Sequence, residues 1–535
     1  MARLLLANGF EDVRMVGGSG DKGADVLGVL KGELWVWQVK HTTSTPPPRD
    51  AISEVVTAAK YYEAQKMVVA VSRPPSGSFL AEKARYERTG IKIQVAYPAD
   101  LLRMMERTPD YPPSRRSLRP YQIDAAERMR QALTDVGRAQ IVMATGLGKT
   151  IVMADVVADL LADGAIEHNR VLVIAHTVPL VSQLHRSFWF QLPKSIPTHQ
   201  LAESERPSYW DGITFATIQS VSSRIESLPT FGLVLIDEAH HVGADTFRRV
   251  IGALEPRMLG GVTATPWRGD GYDIDEILGP ALVRVGIAEG LSKGWLSDVD
   301  YRLLADNLDW AEVQQASLHR YSLSQLNSKL IIPTRDEEAA QLIKRAFANE
   351  GRRAAVVFCR TIEHARIFAA TLRLYGIRTE CVSHEDSPRE REKLMTRFRA
   401  GLLEALTTVD LFNEGVDLPD VDLVAFMRVT HSRRIFVQQL GRGLRWSPNK
   451  DRLIVLDFVT DLRRIAEVLE LDRASGGALE KLNPGGPIQF TDQTAGNFMR
   501  EWMLDQASLV DREGDPRLDV PRLNFPEPHK PGSVQ

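Results

Sequence analysis

Cysteine occurs only twice in 535 residues, at Cys359 and Cys381, which leaves nothing for a disulfide framework and no thiolate spacing that would ligate a metal. No stretch holds 18 uninterrupted apolar residues, so no membrane-spanning helix is expected; the opening MARLLLANGFED has a leucine run but meets charge at once. Neither sign of charge dominates. The 66 Lys and Arg face 69 Asp and Glu, a net charge of −3, which excludes a global positive field that would coat nucleic acid. Nucleic-acid binding would have to come from local patches. Solenoid repeats are missing as well, and the one low-complexity tract is Pro46–Pro48. These absences lead to the expectation of a soluble cytoplasmic protein in a reducing compartment, with no membrane partner. What is present is an ordinary globular mixture, 44% hydrophobic and 25% charged, and at about 150 residues per domain the length fits three or four domains.

Proline marks the clearest boundary, because it removes a backbone donor and resists helix continuation. The segment TPDYPPSRR separates a small N-terminal α/β block from a long body in which buried-looking strands precede helical stretches. Such strands are AQIVMA, RVLVIAH, FGLVLID, AAVVFCR and LIVLDF, and their alternation with amphipathic segments implies parallel sheets covered on both faces. The expected division is a block over 1–107, a linker over 108–116, a first sheet lobe over 117–285, an interlobe segment over 286–335, a second lobe over 336–460, and a helical extension with an extended tail over 461–535.

Strand AQIVMA runs into Thr145-Gly146-Leu147-Gly148-Lys149-Thr150 and then a helical run. Thr145, Gly146 and Gly148 form a turn whose backbone N–H groups can approach phosphate. The following helix N-terminus adds its dipole, and Lys149 and Thr150 can serve phosphate and Mg²⁺. Met143 stands where the general pattern has its first glycine. A second half of this site is offered by Asp237-Glu238-Ala239-His240 after FGLVLI. Asp237 can hold the Mg²⁺ shell while Glu238 orients or deprotonates an attacking water. Taken alone, Asp-Glu after a strand is more often the start of a solvated loop; its pairing with Lys149 is what points to chemistry.

In order along the chain stand LRPYQ ending at Gln122, MATGLGKT, DEAH, Thr263-Ala264-Thr265, VVFCRT, TTVDLFNEGVDLP and QQLGRGLR. This ordered set resembles the motifs of superfamily 2 helicases and translocases, over roughly residues 117–460. The resemblance implies two RecA-like lobes with ATP between them. By it, Gln122 reads adenine, Arg442 and Arg445 reach the phosphates, and Gly415 and Asp417 touch the nucleotide or transmit its state. It also implies strand contacts at Thr177, Gln183, Thr217 and Gln219, which would grip phosphates without reading bases. The basic stretches Arg433-Arg434 and Arg389 to Arg399 could add attraction for DNA, and are equally compatible with solvated helix faces.

The first hundred residues carry separate chemistry. In DVLGVLKGELWVWQVK, two strand-like runs flank Lys31-Gly32, which suits a tight hairpin. If Leu30 faces Glu33, Asp25 lies opposite Gln38; alternation then puts Asp25, Gln38 and Lys40 on one face, with Trp37 and Val39 on the other. An acid, an amide oxygen and an ammonium are what metal-assisted phosphodiester hydrolysis needs, although a polar exposed hairpin face is the commoner use of such residues. The block resembles the Mrr-type restriction endonuclease domain of the PD-(D/E)xK fold: GGSGDKGADV matches its approach to the metal aspartate, WVWQVKH its Gln-x-Lys strand, and AISEVVTAAKYYEAQKMVVAVS its next helix and strand. By that resemblance Asp25, Gln38 and Lys40 are the catalytic set, Asp25 and Gln38 hold the metal, and Glu54 assists. The chain departs from the family in lacking an acid on the first helix, and Glu11 follows that helix.

The expectation is an α/β protein: a restriction-endonuclease-like domain, two RecA-like parallel-sheet lobes and a short helical extension. Its function would be that of an ATP-dependent DNA translocase or helicase coupled to a Mg²⁺-dependent endonuclease, in restriction or phage defence, with DNA as partner and room for further defence-system subunits. Two alternatives stay open: a repair or remodelling helicase whose nuclease-fold domain only binds DNA, and an RNA helicase.

Overall fold

A computed structural model describes residues 1–16, 23–113, 115–201, 207–242, 244–264, 274–304, 336–359, 361–409, 421–427, 452–458 and 488–489. The chain divides into two units, the first holding residues 1–286 with 384–402.

The N-terminal block begins with helix α1 (Ala2–Ala7) and strands β1 (Glu11–Met15), β2 (Val26–Leu30) and β3 (Glu33–Lys40). Helix α2 (Asp50–Tyr62), β4 (Lys66–Val71), α3 (Gly77–Glu87), β5 (Gln94–Ala96) and α4 (Pro98–Arg107) follow. The five strands lie in sequence order, antiparallel through β3 and parallel from β3 to β5. Lys31 and Gly32 both take positive φ, 54° and 77°, the turn whose twist matches that of its flanking strands. The turn fixes the register from Leu30↔Glu33 to Val26↔Trp37, the pairing expected from the sequence. Both faces of β3 are covered. Leu34 and Val36 join Ala51, Ile52, Val55 and Tyr62 of α2, whereas Trp35, Trp37 and Val39 pack with Leu5, Leu6 and Phe10. Each large aliphatic buried this way contributes roughly 1.5–3 kcal/mol relative to exposure.

The first lobe's sheet, described by strands β6 (Arg138–Met143), β7 (Arg170–Ala175), β8 (Thr198–Leu201), β9 (Gly212–Thr217), β10 (Leu233–Asp237), β11 (Met258–Thr263) and β12 (Ala281–Val285), is parallel in the order β12-β6-β11-β10-β7-β9-β8. Helices α5 (Pro120–Asp135), α6 (Lys149–Ala162) and α7 (Val178–Trp189) supply apolar faces to it. The segment 108–116, expected as a linker, is fastened down. The Thr108 carbonyl accepts from Lys194 Nζ at 2.8 Å, the Asp110 carbonyl accepts from the Lys194 amide at 2.6 Å, and Arg116 and Gln191 exchange two bonds of 3.1 Å. A proline-rich strand cannot satisfy itself in a ladder, so side chains of the lobe do it. Trp189 belongs to the same apolar cluster as Leu5 and Leu6, and Arg3 donates to the carbonyls of Pro193 and Ile196, both at 2.6 Å. Burial pulls the Arg3 guanidinium down to about 10. The N-terminal block is therefore joined to the first lobe by packing as well as by chain.

Helix Pro388–Arg399, opened by a Ser387/Glu390 capping box, is grouped with this first unit. Its basic side chains meet acids and an aromatic of the N-terminal block: Arg397 reaches Glu63 at 3.6 Å, Arg399 reaches Asp12 at 4.0 Å, and Lys393 Nζ lies 4.6 Å from the Tyr61 ring centroid. Arg14, 5% exposed, pairs with Asp12 and, at 2.7 Å, with Glu392. Burial alone would lower the Arg14 pKa, but the two carboxylates outweigh it and the net shift is upward. Arg14→Ala is expected to cost about 2–3 kcal/mol. That is below the 3–5 typical of a broken buried pair, because both acids keep about a third of their surface in water. A lower first transition in thermal unfolding checks it.

The second unit holds a parallel sheet of β13 (Asp298–Leu304), β14 (Ala355–Phe358), β15 (Thr379–Cys381), β16 (Ala405–Thr408), β17 (Leu423–Phe426), β18 (Arg452–Phe458) and β19 (Ile488–Gln489), ordered β15-β16-β14-β17-β18-β13-β19. The stretch expected between lobes thus supplies β13, paired with β18 from Asp298↔Arg452 to Leu304↔Phe458. No helix among the described residues is long and apolar enough to cross a membrane.

Candidate functional sites: a phosphate cradle and a hairpin acid–amide–lysine set

The cradle lies at the carboxyl end of β6. Gly146 and Gly148 take φ of 92° and 89°, a region L side chains rarely adopt, so the glycines there are conformational requirements. Between them Leu147 is fully buried, and its carbonyl accepts from Tyr121 Oη at 3.0 Å and Gln122 Nε2 at 2.7 Å. Gln122 Oε1 accepts from the Arg119 amide at 2.9 Å, so in this structure both ends of its amide are spent on holding the turn. A Cβ at Gly148 would stand 2.4 Å from Gln122 Nε2. Gly148 leads into α6, whose first two residues are Lys149 and Thr150; Lys149 Nζ rests on the Met143 carbonyl at 3.2 Å. Met143 itself is buried at the end of β6, which explains why the first glycine of the general pattern is dispensable: the turn begins after it.

β10 lies one strand beyond β11 from β6, so the acids at its end share the cradle's edge of the sheet. Asp237 ends β10, buried, and Glu238 takes φ 52° and ψ 53°, left-handed backbone that a non-glycine residue holds only at a cost. His240 is fully buried with Nδ1 2.9 Å from Thr263 Oγ1 and 3.3 Å from Glu238 Oε2. Burial first, then the charge of Glu238, push the Asp237 carboxyl up from its ordinary 3.8 to about 7, with Lys149 pulling back. Between those two pH values the folded protein holds a proton that the unfolded chain has lost, so this group makes stability fall as pH rises across the window. Asp237→Asn is expected to melt above wild type near pH 8 without nucleotide, the gap closing toward pH 4, while ATP hydrolysis is lost. Thermal melts across that range check it.

The residues expected to grip a strand sit at the same sheet end. Thr177 N-caps α7 after β7, and Thr217 ends β9, where Ala175 and Thr217 are register partners. Thr217 Oγ1 is committed to capping, accepting from the Ser220 amide at 3.1 Å, so only its backbone faces a ligand's needs. Gln219 is exposed, and the half-buried Gln183 Oε1 has no hydrogen-bond partner among the described residues. Gly415, Asp417, Arg442, Arg445, Thr265 and Arg433-Arg434 lie outside the described residues.

In the hairpin the paired register ends at Val26↔Trp37, and Asp25 does not extend it to face Gln38 as expected: like Val26 it is held against Trp37, a local irregularity of the strand end. Its amide donates to the Trp37 carbonyl at 2.9 Å and its Oδ2 accepts from the Val39 amide at 2.6 Å. Gln38 is 3% exposed, and its Oε1 has no hydrogen-bond partner among the described residues. Lys40 Nζ pairs with Glu54 Oε2 on α2 at 2.6 Å. Gly23, with φ 86°, passes so close to α2 that a Cβ would stand 2.4 Å from the Glu54 carbonyl carbon. Helix α1 carries no acid, and Glu11 is an exposed residue of β1. Among the described residues no three His, Cys, Asp or Glu side chains are grouped to hold a metal. The donors that fit one here are therefore the Asp25 carboxylate and the orphaned Gln38 oxygen, with water and a phosphate left to complete the shell. Sequence reasoning assigned no role to Tyr121, Arg14, His176 or His241; Tyr121 stood inside the LRPYQ motif and His241 was visible as the second histidine of DEAHH.

A P-loop and a DEAH turn on one parallel sheet, beside a mixed sheet with an Asp…Gln-x-Lys hairpin, define a superfamily 2 ATPase body next to a nuclease-fold domain. Residues 115–268 match the type III restriction enzyme res subunit family, 337–447 the helicase conserved C-terminal domain, and 1–105 the restriction endonuclease family of Mrr catalytic type. The chain carries the two domains of a superfamily 2 helicase and an N-terminal Mrr-type restriction endonuclease domain. It is 23% identical to IRC3 of Saccharomyces cerevisiae, which bears an ATP-dependent helicase name, over 64% of this chain and 51% of that protein. With XPB2 of Sulfurisphaera tokodaii, named a DNA 3'-5' translocase, it shares 25% identity over 63% of this chain and 80% of that one. The structure of the ATP-dependent Type ISP restriction-modification enzyme LlaBIII bound to DNA has the same fold, with TM-score 0.54 and 16% identity over 96% of this chain and 42% of that chain. The chain thus spans about half the length of IRC3 and less of LlaBIII.

Proposed function

We propose that this protein is an ATP-driven DNA translocase or helicase coupled to a Mg²⁺-dependent DNA endonuclease, acting in restriction or phage defence. The observation that carries it is the presence in one chain of two separate sites: a glycine-shaped phosphate cradle, and a buried Gln38 oxygen with no hydrogen-bond partner among the described residues, one residue from the Val39 amide that the Asp25 carboxylate accepts from.

At the cradle, the amides around Gly146 and Gly148 and the Lys149 ammonium hold phosphate oxygens, Asp237 and Thr150 are the residues to hold Mg²⁺, and Glu238 orients the attacking water. Arg442 and Arg445 supply further positive charge by their motif spacing, and the backbone ends of β7 and β9 grip the strand. At the hairpin, Asp25 and Gln38 are the residues to hold Mg²⁺, which when bound supplies charge neutralisation at the scissile phosphate. Lys40 places a cation on the same face. For that it exchanges Glu54 for the phosphate or keeps both, since an ammonium has three donors.

The test is incubation of methylated and unmethylated plasmid with Mg²⁺, with and without ATP. Duplex cleavage supports the proposal. Hydrolysis of ATP stimulated by DNA without cleavage of any substrate selects the reading in which the N-terminal domain only grips DNA, which the absence of an acid on α1 favours. Stimulation by RNA and not by DNA refutes both.

A further inference from the structure

β7 and β10 are neighbours in the parallel sheet, paired from Leu233↔Val171 to Ile236↔Ile174, so the residues leaving their carboxyl ends emerge side by side. His176 leaves β7 and His241 closes the turn after β10. Their rings stack face to face, centroids 4.6 Å apart and planes 11° from parallel. The His241 ring in turn lies 4.2 Å from that of His240, tilted by 42°. His240 is the residue that touches Thr263 at 2.9 Å and Glu238 at 3.3 Å. A run of three imidazoles therefore leads from the edge of the loop that holds Thr177 to the carboxylate expected to orient water.

We propose that His176 and His241 are positioning residues through which DNA at the Thr177 loop sets Glu238 for ATP hydrolysis. The proposal rests on the motor reading above and adds its regulation. Both rings are half-buried, at the end of the sheet where the cradle and the candidate strand grip lie, and apolar side chains would fill such a place with less desolvation if filling were their only use. Flat stacked rings move as a pair: a shift of the His176 loop on a bound phosphodiester backbone tilts His241, and His241 lies in the same short turn as Glu238. That turn is held in left-handed backbone at Glu238, a conformation costly for a non-glycine residue, so a small displacement of its neighbours bears directly on where the Glu238 carboxylate points.

The experiment compares steady-state ATPase of the full chain with and without duplex or single-stranded DNA, for wild type, His241→Ala, His241→Phe, His176→Ala and His176→Phe, with DNA affinity read by fluorescence anisotropy. Each alanine variant should keep its DNA-free turnover within about twofold and bind DNA like wild type, yet lose about tenfold or more of the DNA stimulation of kcat. Each phenylalanine variant keeps a flat ring and should recover most of it. Alanine variants stimulated as well as wild type overturn the coupling. So does equal loss of DNA-free and DNA-stimulated turnover, or phenylalanine no better than alanine. A wild type whose ATPase ignores every DNA overturns the motor reading, and the coupling falls with it; a stimulated wild type with indifferent variants removes the coupling alone.

Discussion

Lys149→Ala should reduce kcat for ATP hydrolysis by about 10²–10³ or more, the loss expected when one preorganised charge donor is removed from a phosphoryl-transfer site. The geometry makes this a clean experiment. Lys149 is the first residue of α6, and its ammonium rests on the Met143 carbonyl, a contact whose removal frees a strand-end acceptor to water and leaves the turn standing. The turn is held instead by Leu147, through Tyr121 and Gln122. The variant should therefore keep its melting profile while losing turnover, as followed by phosphate release. A Gly148→Ala change would also lose turnover, but by another route: it forces a Cβ against Gln122 and strains φ 89°, so it should lower the melting temperature as well. The pair separates charge from shape. If Lys149→Ala hydrolyses ATP like wild type, the cradle is a structural turn and the motor reading fails.

The elements that sequence made legible are those whose signal is local. The hairpin register followed from a two-residue turn, because Lys31 and Gly32 admit one pairing and alternation does the rest. The parallel strands β6, β7, β10 and β18 announced themselves as continuous apolar runs, as strands buried on both faces do. β13 did not, since DVDYRLL carries three charges in seven residues. Asp300, almost wholly buried, and Arg302 two residues on neutralise one another at 2.6 Å on one face, so the strand is apolar in effect but not in composition. The basic helix Pro388–Arg399 was ambiguous between a DNA-binding and a solvated face because its partners, Asp12, Glu63 and Tyr61, lie more than three hundred residues earlier in the chain. For the same reason the family resemblance implied an adenine-reading Gln122, and the sequence could not show that Leu147 and Arg119 already engage its amide.

Asp25→Ala is the variant expected to silence cleavage, by about 10³-fold, the rate equivalent of several kcal/mol of charge stabilisation at the reacting phosphate, with ATP hydrolysis unchanged. Two features of the hairpin set the controls. Asp25 Oδ2 accepts from the Val39 amide, so alanine also leaves that N–H without its partner and loosens the end of β3; Asp25→Asn keeps an acceptor there and removes the charge alone. Both should fail to cut, and only alanine should lower the melting temperature. Gln38→Glu places a second carboxylate where the buried oxygen has no partner among the described residues, and should tighten divalent-metal binding read by calorimetry at the cost of stability without metal. Lys40→Ala should stop cleavage and at the same time strip Glu54 of its 2.6 Å partner, whereas Glu54→Gln keeps Lys40 in place without an opposing charge. If Lys40 acts on the phosphate, Glu54→Gln retains cleavage and Lys40→Ala does not. If the two serve only to pin α2 to β3, both variants lose stability alike and cut, if at all, alike. Plasmid nicking and melting curves on these variants read the two possibilities apart, and a fully active Asp25→Asn would remove the hairpin from the chemistry.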